Sequence, residues 1–391
     1  MLQRQTRPLV RALFTAGAFG LLSASAGAQD VKLPSTLTVT AYDTGTSGFN
    51  ISVAVGKALK EKYGTNVRVL PAGNDVARLA PVKSKRAQFS AMGAGSYYAQ
   101  EAVFEFAVKD WGPQSLQLIL TSVDCNGANL GIAADTGVKE LKDLKGKRVG
   151  FVVGAPSLNQ NALAMLAFAN LTTDDVQIVE FASYGAMWKG LINNDVDAAF
   201  GSTITGPAKE AEASPRGLVW PTLPAEDKEG WARAQKVAPY IFPATATCGA
   251  AGLSAKSPKV MGKYPYPIYV LYASTPEAEA YAITKAMITT YDGYKDAVPG
   301  ASGLGAARQT TKWVLPYHPG AVKALKEAGN WSESDEAHNQ RLIKRQKVLA
   351  DAWKAFLKGN PSDDKEEFRK AWMGARKKAL EAAKLDVVFE K

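Results

Sequence analysis

The stretch Asp43-Thr44-Gly45-Thr46-Ser47-Gly48-Phe49-Asn50 decides the fold, because it joins a strand-like run at 37–41 to a helix-like run at 51–63. Glycines allow the backbone to come close to a bound molecule, and the free N–H groups of a helix start favour an anion. The pattern predicts a ligand-binding loop, with a flexible helix cap as the alternative. Its candidate ligand-binding residues are Thr44, Gly45, Thr46, Ser47, Gly48, Phe49 and Asn50.

Spacing excludes the common nucleotide-binding loops. Gly56-Lys57 comes eleven residues after Gly45, too far for a P-loop, and Ala58 stands where that loop needs a hydroxyl. Gly93-Ala94-Gly95 begins like a dinucleotide-binding motif but lacks the third glycine. We therefore predict a ligand other than a nucleotide.

Residues 1–28 have the pattern of a cleavable signal peptide. A positive leader with three arginines precedes the apolar run 12–22, and Ala26-Gly27-Ala28 supplies small residues for cleavage. The apolar run is too short to cross a bilayer, although an uncleaved anchor is the alternative. We expect a mature chain that starts near residue 29 and is exported to the periplasm.

The charge of the mature chain argues against nucleic acid. Without the three arginines of the leader, 44 of the 47 lysines and arginines remain against 37 acidic residues. The two signs are interspersed, and no basic block alternates with aromatic residues. Nucleic acid is therefore not an expected partner.

Strand-loop-helix patterns recur along the chain and predict an α/β fold with parallel strands. In such sheets ligands bind beyond the carboxyl ends of the strands. Polar loops at the matching places in two halves predict a cleft between two lobes. The further candidate ligand-binding residues are Gly73, Asn74, Gly95, Ser96 and Tyr97 in the first half, and Ser157, Asn159, Gln160, Asn161, Ser202 and Thr203 in the second.

Roughly 360 mature residues exceed the usual size of one core. We expect residues 29–124 to form the first part of lobe 1, 125–245 lobe 2, 246–325 the second part of lobe 1, and 326–391 a helical C-terminal extension. The segment 221–267 gives only weak signals of secondary structure. Cys125 and Cys248 are the two cysteines; they can form one disulfide in an oxidising compartment, or stay buried thiols too far apart to pair.

Catalytic chemistry has little support in the sequence. His318 and His338 are the two histidines, and neither a zinc-binding His-Glu-x-x-His motif nor a Gly-x-Ser-x-Gly elbow occurs. His318, flanked by prolines, is better explained as a structural residue than as a base. We predict no catalytic residue, no metal site and no cofactor, and an exported enzyme is the minor alternative.

Four segments of the chain resemble the TAXI family of solute receptors, which serve tripartite ATP-independent periplasmic (TRAP) transporters. The segments are the glycine-threonine loop and small-residue helix at 45–56, Asp143-Leu144-Lys145-Gly146-Lys147-Arg148-Val149, Asp197-Ala198-Ala199-Phe200, and Pro316-Tyr317-His318-Pro319-Gly320-Ala321. Their order extends over residues 37–330.

The resemblance implies a type II periplasmic-binding-protein fold that closes on a small solute, an organic acid or amino acid, and delivers it to TRAP membrane subunits. The chain departs from the family at Phe49 and Asn50, where tyrosines are frequent, and at 157–161, where the family often has an arginine. A carboxylate ligand would lose that arginine clamp, so an uncharged polar solute is the alternative to a carboxylate. A receptor for an ATP-driven importer and a ligand sensor are the alternatives with the same fold.

Overall fold

The computed structural model describes residue 1 and residues 31–390. Beyond Met1, the predicted signal peptide at 1–28 lies outside the described residues. Residues 32–390 belong to one compact unit, which contains both lobes and the C-terminal helices.

Two β-sheets organise the chain, and we call each sheet with its helices a lobe. Lobe 1 has five strands in the order β2-β1-β3-β11-β4, and lobe 2 has six in the order β7-β6-β8-β5-β10-β9. The strands are β1 Thr36–Tyr42, β2 Asn66–Ala72, β3 Phe89–Met92, β4 Leu116–Thr121, β5 Ala128–Ile132, β6 Arg148–Val152, β7 Gln177–Phe181, β8 Ala198–Ser202, β9 Phe242–Ala246, β10 Lys259–Lys263 and β11 Ile268–Tyr272.

Strand direction shows where the chain changes lobes. In lobe 1, β1 is parallel to β2 and β3, whereas the returning strand β11 is antiparallel to β3 and β4. In lobe 2, β6 is parallel to β7 and β8, whereas β5 is antiparallel to β8 and β10. The antiparallel strands in each sheet are thus those next to the two crossings between lobes.

Helices cover the sheets, as the strand-loop-helix pattern predicted. The helices are α1 Ser47–Tyr63, α2 Asp75–Lys83, α3 Gly95–Glu101, α4 Pro156–Phe168, α5 Tyr184–Ile192, α6 Gly206–Ala213, α7 Lys228–Val237, α8 Glu277–Thr289, α9 Pro319–Glu327, α10 Glu333–Lys358 and α11 Lys365–Ala382. Between β5 and β6 the chain has a 3-10 turn, Leu141–Leu144.

Helix α1 shows how the sequence forms these elements. Its buried face includes Ile51, Val55 and Leu59, which recur at helical spacing and pack towards β1 and β2. It ends at Gly64, whose φ of 70° lies in the left-handed region that suits glycine. The helix begins at Ser47, four residues before the run recognised in the sequence, so Thr46 is its cap and residues 47–50 form its first turn.

The second crossing between lobes differs from the prediction. Strands β9 and β10 pair with each other at the edge of the six-stranded sheet, so the boundary predicted at 245/246 falls inside lobe 2. The chain returns to lobe 1 between Lys263 and Ile268. The sequence missed these edge strands because Pro243 and the glycines of this segment interrupt the alternation that marks a strand.

The helical C-terminal extension is confirmed, and it packs on lobe 1. Arg345 of α10 and Arg376 of α11 both reach Glu101 at the end of α3, and all three side chains are buried. The indole of Trp372 donates to the carbonyl of Ala102 at 2.8 Å. The extension is therefore part of the core of this lobe.

Candidate functional site

A cavity lies between the two lobes, and residues of both lobes and of the returning segment line it. The cavity has a volume of about 30 Å³, so the lobes are closed around a small space. The lining residues are Tyr42, Thr46, Ser47, Gly93, Asn126, Gly127, Ala128, Ser157, Leu158, Tyr184, Phe200, Gly201, Ser202, Thr205, Lys263, Tyr264 and Tyr266.

Lobe 1 supplies side chains from the ends of its strands. Tyr42 is the last residue of β1, and Thr46 and Ser47 stand at the start of α1. Gly93 follows β3. This edge is the one where parallel α/β sheets bind ligands, since the strand ends and helix starts meet there.

Lobe 2 supplies the starts of three helices. Ser157 lies in the first turn of α4, Tyr184 is the first residue of α5, and Thr205 immediately precedes α6. Ser202 ends β8, and its hydroxyl accepts from the Asn126 amide at 3.1 Å. The cavity is thus surrounded by helix starts, whose dipoles make it favourable for negative charge.

The segment that returns to lobe 1 forms one wall of the cavity. Tyr264 and Tyr266 extend from it, and the Tyr266 ring passes close to the backbone of lobe 1. A Cβ on Gly48 would meet the Tyr266 hydroxyl at 3.1 Å, and a Cβ on Gly93 would meet the ring at 3.0 Å. Glycine at these two positions therefore lets the aromatic wall come near the strand ends.

Carboxylates of lobe 1 bind helix starts of lobe 2. Asp75 Oδ2 accepts from the backbone N–H of Ser157 at 2.8 Å, and Asp43 Oδ2 accepts from that of Gly185 at 2.8 Å. The hydroxyls of Tyr42 and Ser157 also meet across the cleft at 3.1 Å. These contacts hold the closed arrangement, because each would break if the lobes separated.

Backbone contacts extend the closed interface. The N–H of Gly206 donates to the carbonyl of Gly45 at 3.1 Å, and the N–H of Tyr184 donates to that of Gly73 at 2.9 Å. A Cβ on Gly206 would lie 2.5 Å from the Gly45 oxygen, and a Cβ on Gly73 would lie 2.5 Å from Cβ of Ser183. Glycine is therefore needed where the lobes touch.

Buried charge surrounds Tyr42. The Tyr42 hydroxyl and Arg78 both donate to Asp75 Oδ1 at 2.6 Å, and the guanidinium of Arg78 stacks 3.6 Å from the centre of the Tyr42 ring. Burial, together with the Asp75 charge, raises the pKa of Tyr42 well above its ordinary value. Burial likewise raises the pKa of Tyr184. Both phenols are therefore neutral hydrogen-bonding groups at physiological pH.

Lys263 is the basic side chain of the cavity lining. It lies at the end of β10, is partly exposed, and its ammonium donates to the backbone carbonyl of Asp124. Burial lowers the pKa of Lys263. No aspartate or glutamate lies among the lining residues that the structure describes.

Four of the residues predicted for ligand binding line the cavity: Thr46, Ser47, Ser157 and Ser202. The exposed Thr44 and half-buried Phe49 lie outside the lining. The other predicted residues outside it are Gly45, Gly48, Asn50, Gly73, Asn74, Gly95, Ser96, Tyr97, Asn159, Gln160, Asn161 and Thr203.

Several of these side chains form hydrogen bonds to the backbone and do not line the cavity. Asn159 makes hydrogen bonds to both the N–H and the carbonyl of Val152, and Asn74 caps α2 by accepting from Ala77 N at 2.8 Å. The Thr203 hydroxyl donates to the carbonyl of Cys248 at 2.8 Å.

Other predicted residues contact residues that line the cavity or their neighbours, or lie in another part of the protein. The Asn50 amide donates to the carbonyl of Gly45, and the Ser96 hydroxyl donates to that of Gly93. Gly95 packs against the Asp75 carboxyl group. Asn161 bridges the hydroxyls of Tyr240 and Tyr264. Tyr97 packs on Phe389, and Gln160 lines a separate groove beside the C-terminal residues.

Sequence reasoning missed most of the aromatic lining. Tyr42 ends the first strand, just before the loop that was recognised, and Tyr184 and Thr205 start helices. Tyr264 and Tyr266 come from the segment 221–267, which gives only weak signals of secondary structure. A usable signal was the Tyr-Pro-Tyr-Pro run at 264–267, because prolines hold an extended segment in place between two lobes.

Cys125 and Cys248 are joined in a disulfide with Cα atoms 5.5 Å apart. The bond links the first crossing between the lobes to the segment after β9. The N–H of Thr247 also donates to the carbonyl of Cys125 at 2.8 Å. The disulfide thus fixes one side of the connection between the lobes.

Neither histidine lies in the cavity. His318 caps α9 by accepting from the N–H of Gly320 at 3.2 Å, and its other ring nitrogen lies 3.1 Å from the carbonyl of Thr275. Within residues 31–390, no group of three or more His, Cys, Asp or Glu side chains is arranged to hold a metal ion. In that same part of the chain no helix has the length and apolarity that crossing a membrane requires.

The fold and the cavity define a two-lobed α/β protein of the type II periplasmic-binding-protein-like class. Its family is the NMT1-like family, which matches residues 39–329, so the chain belongs to this family. No curated protein sequence matches the chain.

Solved structures that match the chain include the alkanesulfonate-binding protein SsuA from Xanthomonas axonopodis pv. citri bound to MOPS. The two are 15% identical with a TM-score of 0.44, over 82% of this chain and 93% of that chain. An amino acid ABC transporter substrate-binding protein from Streptococcus pneumoniae Canada MDR_19A, bound to L-arginine, is 13% identical with a TM-score of 0.41, over 68% and 94%. An ancestral arginine-binding protein is 17% identical with a TM-score of 0.38, over 68% and 99%.

Proposed function

We propose that the protein is a periplasmic receptor that captures a small polar, carboxylate-bearing solute between its lobes. The observation that carries this proposal is the interlobe cavity, whose wall takes hydroxyls from both lobes at the starts of helices. In this proposal the ligand is bound and released unaltered, and no catalytic residue is assigned.

Binding by closure follows from the position of the cavity. A solute that contacts both lobes at once binds the closed state better than the open one, and only such a difference in affinity can shift the population. Because the closed cavity is small, the lobes have to separate before a solute enters. The contacts of Asp43 and Asp75 across the cleft are then the ones that break and form again in each cycle.

A carboxylate suits the electrostatics of the cavity. Helix starts and Lys263 place positive potential around it, and no acidic side chain lines it within the described chain. Arginine, which clamps carboxylates through two parallel hydrogen bonds, is also missing from the lining residues described. The site would therefore hold one acid group through N–H and hydroxyl donors.

Delivery to TRAP membrane subunits is the proposed step after capture. It is supported by the four segments that resemble TAXI receptors, three of which fall at the start of α1, at the turn before β6, and in β8. A receptor for an ATP-driven importer has the same fold, and so does a periplasmic sensor. Neighbouring genes for large membrane subunits would favour a transporter over a sensor.

The first test is a thermal-shift screen of the mature protein against organic acids, amino acids and uncharged solutes. A ligand at about 100 times its dissociation constant should add about 2.7 kcal/mol to the unfolding free energy. Ser202→Phe should abolish the shift by filling the cavity, while Ser274→Phe, at an exposed site, serves as the matched control. Turnover of a compound without a shift would instead indicate an enzyme.

The second test distinguishes a TRAP transporter from an ATP-driven importer. The ligand found in the screen is supplied, with the receptor, to vesicles that carry the candidate membrane subunits. Uptake driven by an ion gradient in the absence of ATP supports the TRAP proposal. Uptake that requires ATP would replace it with an ATP-driven importer.

A further inference from the structure

Four helices start at the cavity, and their free backbone donors can be counted one by one. The first turn of a helix has N–H groups without partners in the helix itself, so each needs an acceptor from elsewhere. The lining residues at the four starts are Ser47 in α1, Ser157 in α4, Tyr184 in α5 and Thr205 before α6. A helix start whose N–H groups have no partner in the protein can donate them to a ligand.

The starts of α4 and α5 are already occupied by the protein's own groups. In α4, Asp75 accepts from Ser157 N at 2.8 Å, and the next N–H groups donate to the carbonyl of Ala155. In α5, the carbonyl of Gly73 and the carboxylate of Asp43 accept from the first two N–H groups. A second anion at either helix would meet a carboxylate already bound there.

The start of α6 offers a hydroxyl but no free N–H. Gly206 N donates to the carbonyl of Gly45 at 3.1 Å, Pro207 has no N–H, and Ala208 N donates to the carbonyl of Thr205 at 3.1 Å. The Thr205 side chain makes no cap hydrogen bond, although its extended backbone is that of a helix cap. Its hydroxyl is buried near that of Tyr184 without reaching hydrogen-bond geometry.

The start of α1 differs from the other three. The N–H groups of Ser47, Gly48 and Phe49 have no acceptor in the described part of the chain. Thr46, the cap residue, makes no cap hydrogen bond either; it is 2% exposed, and its hydroxyl has no partner within residues 31–390. Ser47 and Thr46 line the cavity and are buried, and unpaired buried donors at a cavity wall call for an acceptor that enters it.

A positive group on the same ligand would find no counterpart. In the described part of the chain, Asp43, Asp75 and Asp124 are next to or hydrogen-bonded to lining residues, and all three carboxylates are engaged. Asp43 and Asp75 bind the helix starts, and Asp124 accepts from the Ser302 hydroxyl and pairs with Arg308 at 3.2 Å. A buried ammonium without an acidic partner is strongly unfavourable.

The tyrosines that line the cavity do not form an aromatic cage that could replace the missing acidic partner of a cation. One face of the Tyr42 ring is covered by Arg78, and Tyr184 stacks on it with ring centres 5.5 Å apart. Lys263 also lines the cavity, and a second cation would be repelled by it. The tyrosines therefore offer apolar contact and hydrogen bonds to a neutral or oxygen-bearing group.

We propose that the ligand is a small carboxylic acid without an amino group. Its carboxylate accepts from the free N–H of Ser47 at the start of α1 and from the hydroxyls of Thr46 and Thr205, one from each lobe. This inference rests on the proposed receptor function and narrows its ligand from organic acids or amino acids to hydroxy acids, oxo acids and simple carboxylic acids.

Calorimetric titration of the mature protein with pairs that share a carbon skeleton tests the inference. The pairs are lactate and pyruvate against alanine, and 2-hydroxybutyrate and 2-oxobutyrate against 2-aminobutyrate, with glycerol and urea as uncharged solutes. We expect an acid of at least one pair to bind ten or more times tighter than its amino counterpart. An amino acid that binds as tightly, or binding of uncharged solutes alone, would overturn the inference but leave the receptor function intact.

Two variants locate the carboxylate. Thr46→Val and Thr205→Val keep the side-chain shape and remove one hydroxyl each, and each should weaken binding of the acid at least tenfold. Thr284→Val is the matched control, because this buried threonine lies in α8 and bonds to the carbonyl of Ala280. Unchanged affinity in both cavity variants would overturn the placement. If no compound binds at all, the receptor function fails together with the inference.

Discussion

The link between lobe 1 and the C-terminal helices yields a sharp prediction about stability. Glu101 is fully buried and accepts from Arg345 at 2.6 and 2.7 Å and from Arg376 at 2.5 Å. Burial alone would raise the pKa of Glu101, but the two guanidinium groups hold it below its ordinary value. The substitution Glu101→Gln removes the negative charge and keeps the shape.

The expected cost follows from what the substitution leaves behind. Removing one partner of a buried ion pair typically costs about 3–5 kcal/mol, because the other charge stays buried without compensation. Arg345 and Arg376 would each keep one backbone acceptor, the carbonyls of Asp386 and Val388. A glutamine oxygen can also accept one hydrogen bond, so we expect about 3 kcal/mol.

Urea unfolding followed by tryptophan fluorescence measures this loss, since Trp372 packs beside Ala102. The matched control is Glu105→Gln, four residues away. Burial raises the pKa of Glu105, and its Oε2 has no hydrogen-bond partner in the described part of the chain. A neutral amide should therefore change stability by about 0.5 kcal/mol or less. A loss for Glu101→Gln no larger than that for Glu105→Gln would refute the reasoning.

Three further predictions concern closure, pH and the disulfide. Asp43→Ala removes the carboxylate that accepts from Gly185 N, and losing this hydrogen bond should cost the closed state about 1–2 kcal/mol. The ratio of closed to open protein, measured by energy transfer between dyes on the two lobes, should then fall roughly 5- to 30-fold. An unchanged ratio would contradict the closure contact. Burial lowers the pKa of His318, so the unfolded chain binds a proton more readily, and unfolding free energy should fall as pH drops below about 6.5. His318→Asn should flatten the pH dependence in that window, and an unaltered profile would count against this cause. Replacing Cys125 and Cys248 by serine should cost at most roughly 5 kcal/mol for a 123-residue separation, and a reductant should then destabilise only the wild type.

The sequence predicted the repeated units of the fold well, because each unit is built from local signals. The run at 37–41 alternates apolar and polar residues, and the helix after it has an apolar stripe and ends at Gly64. Such signals depend on neighbours within a few residues. Strands β9 and β10 were missed because they pair with each other and, through β10, with the distant strand β5, and their own residues show little alternation.

The site was predicted only in part, for a physical reason. A polar residue in a loop can face a ligand or hold the backbone, and its type does not distinguish these roles. Ser157 and Asn159 are two residues apart, yet one lines the cavity and the other closes a turn on Val152. The aromatic wall depends on Tyr264 and Tyr266 meeting strand ends more than 150 residues earlier in the chain, such as Tyr42.

A crystal structure of the mature protein with its tightest-binding acid tests the central claim most directly. The carboxylate should lie between the lobes, within hydrogen-bond distance of the backbone N–H of Ser47 and the hydroxyls of Thr46 and Thr205. A ligand bound outside the cavity, or an acid group held at the start of α4 or α5 after displacement of Asp75 or Asp43, would contradict it.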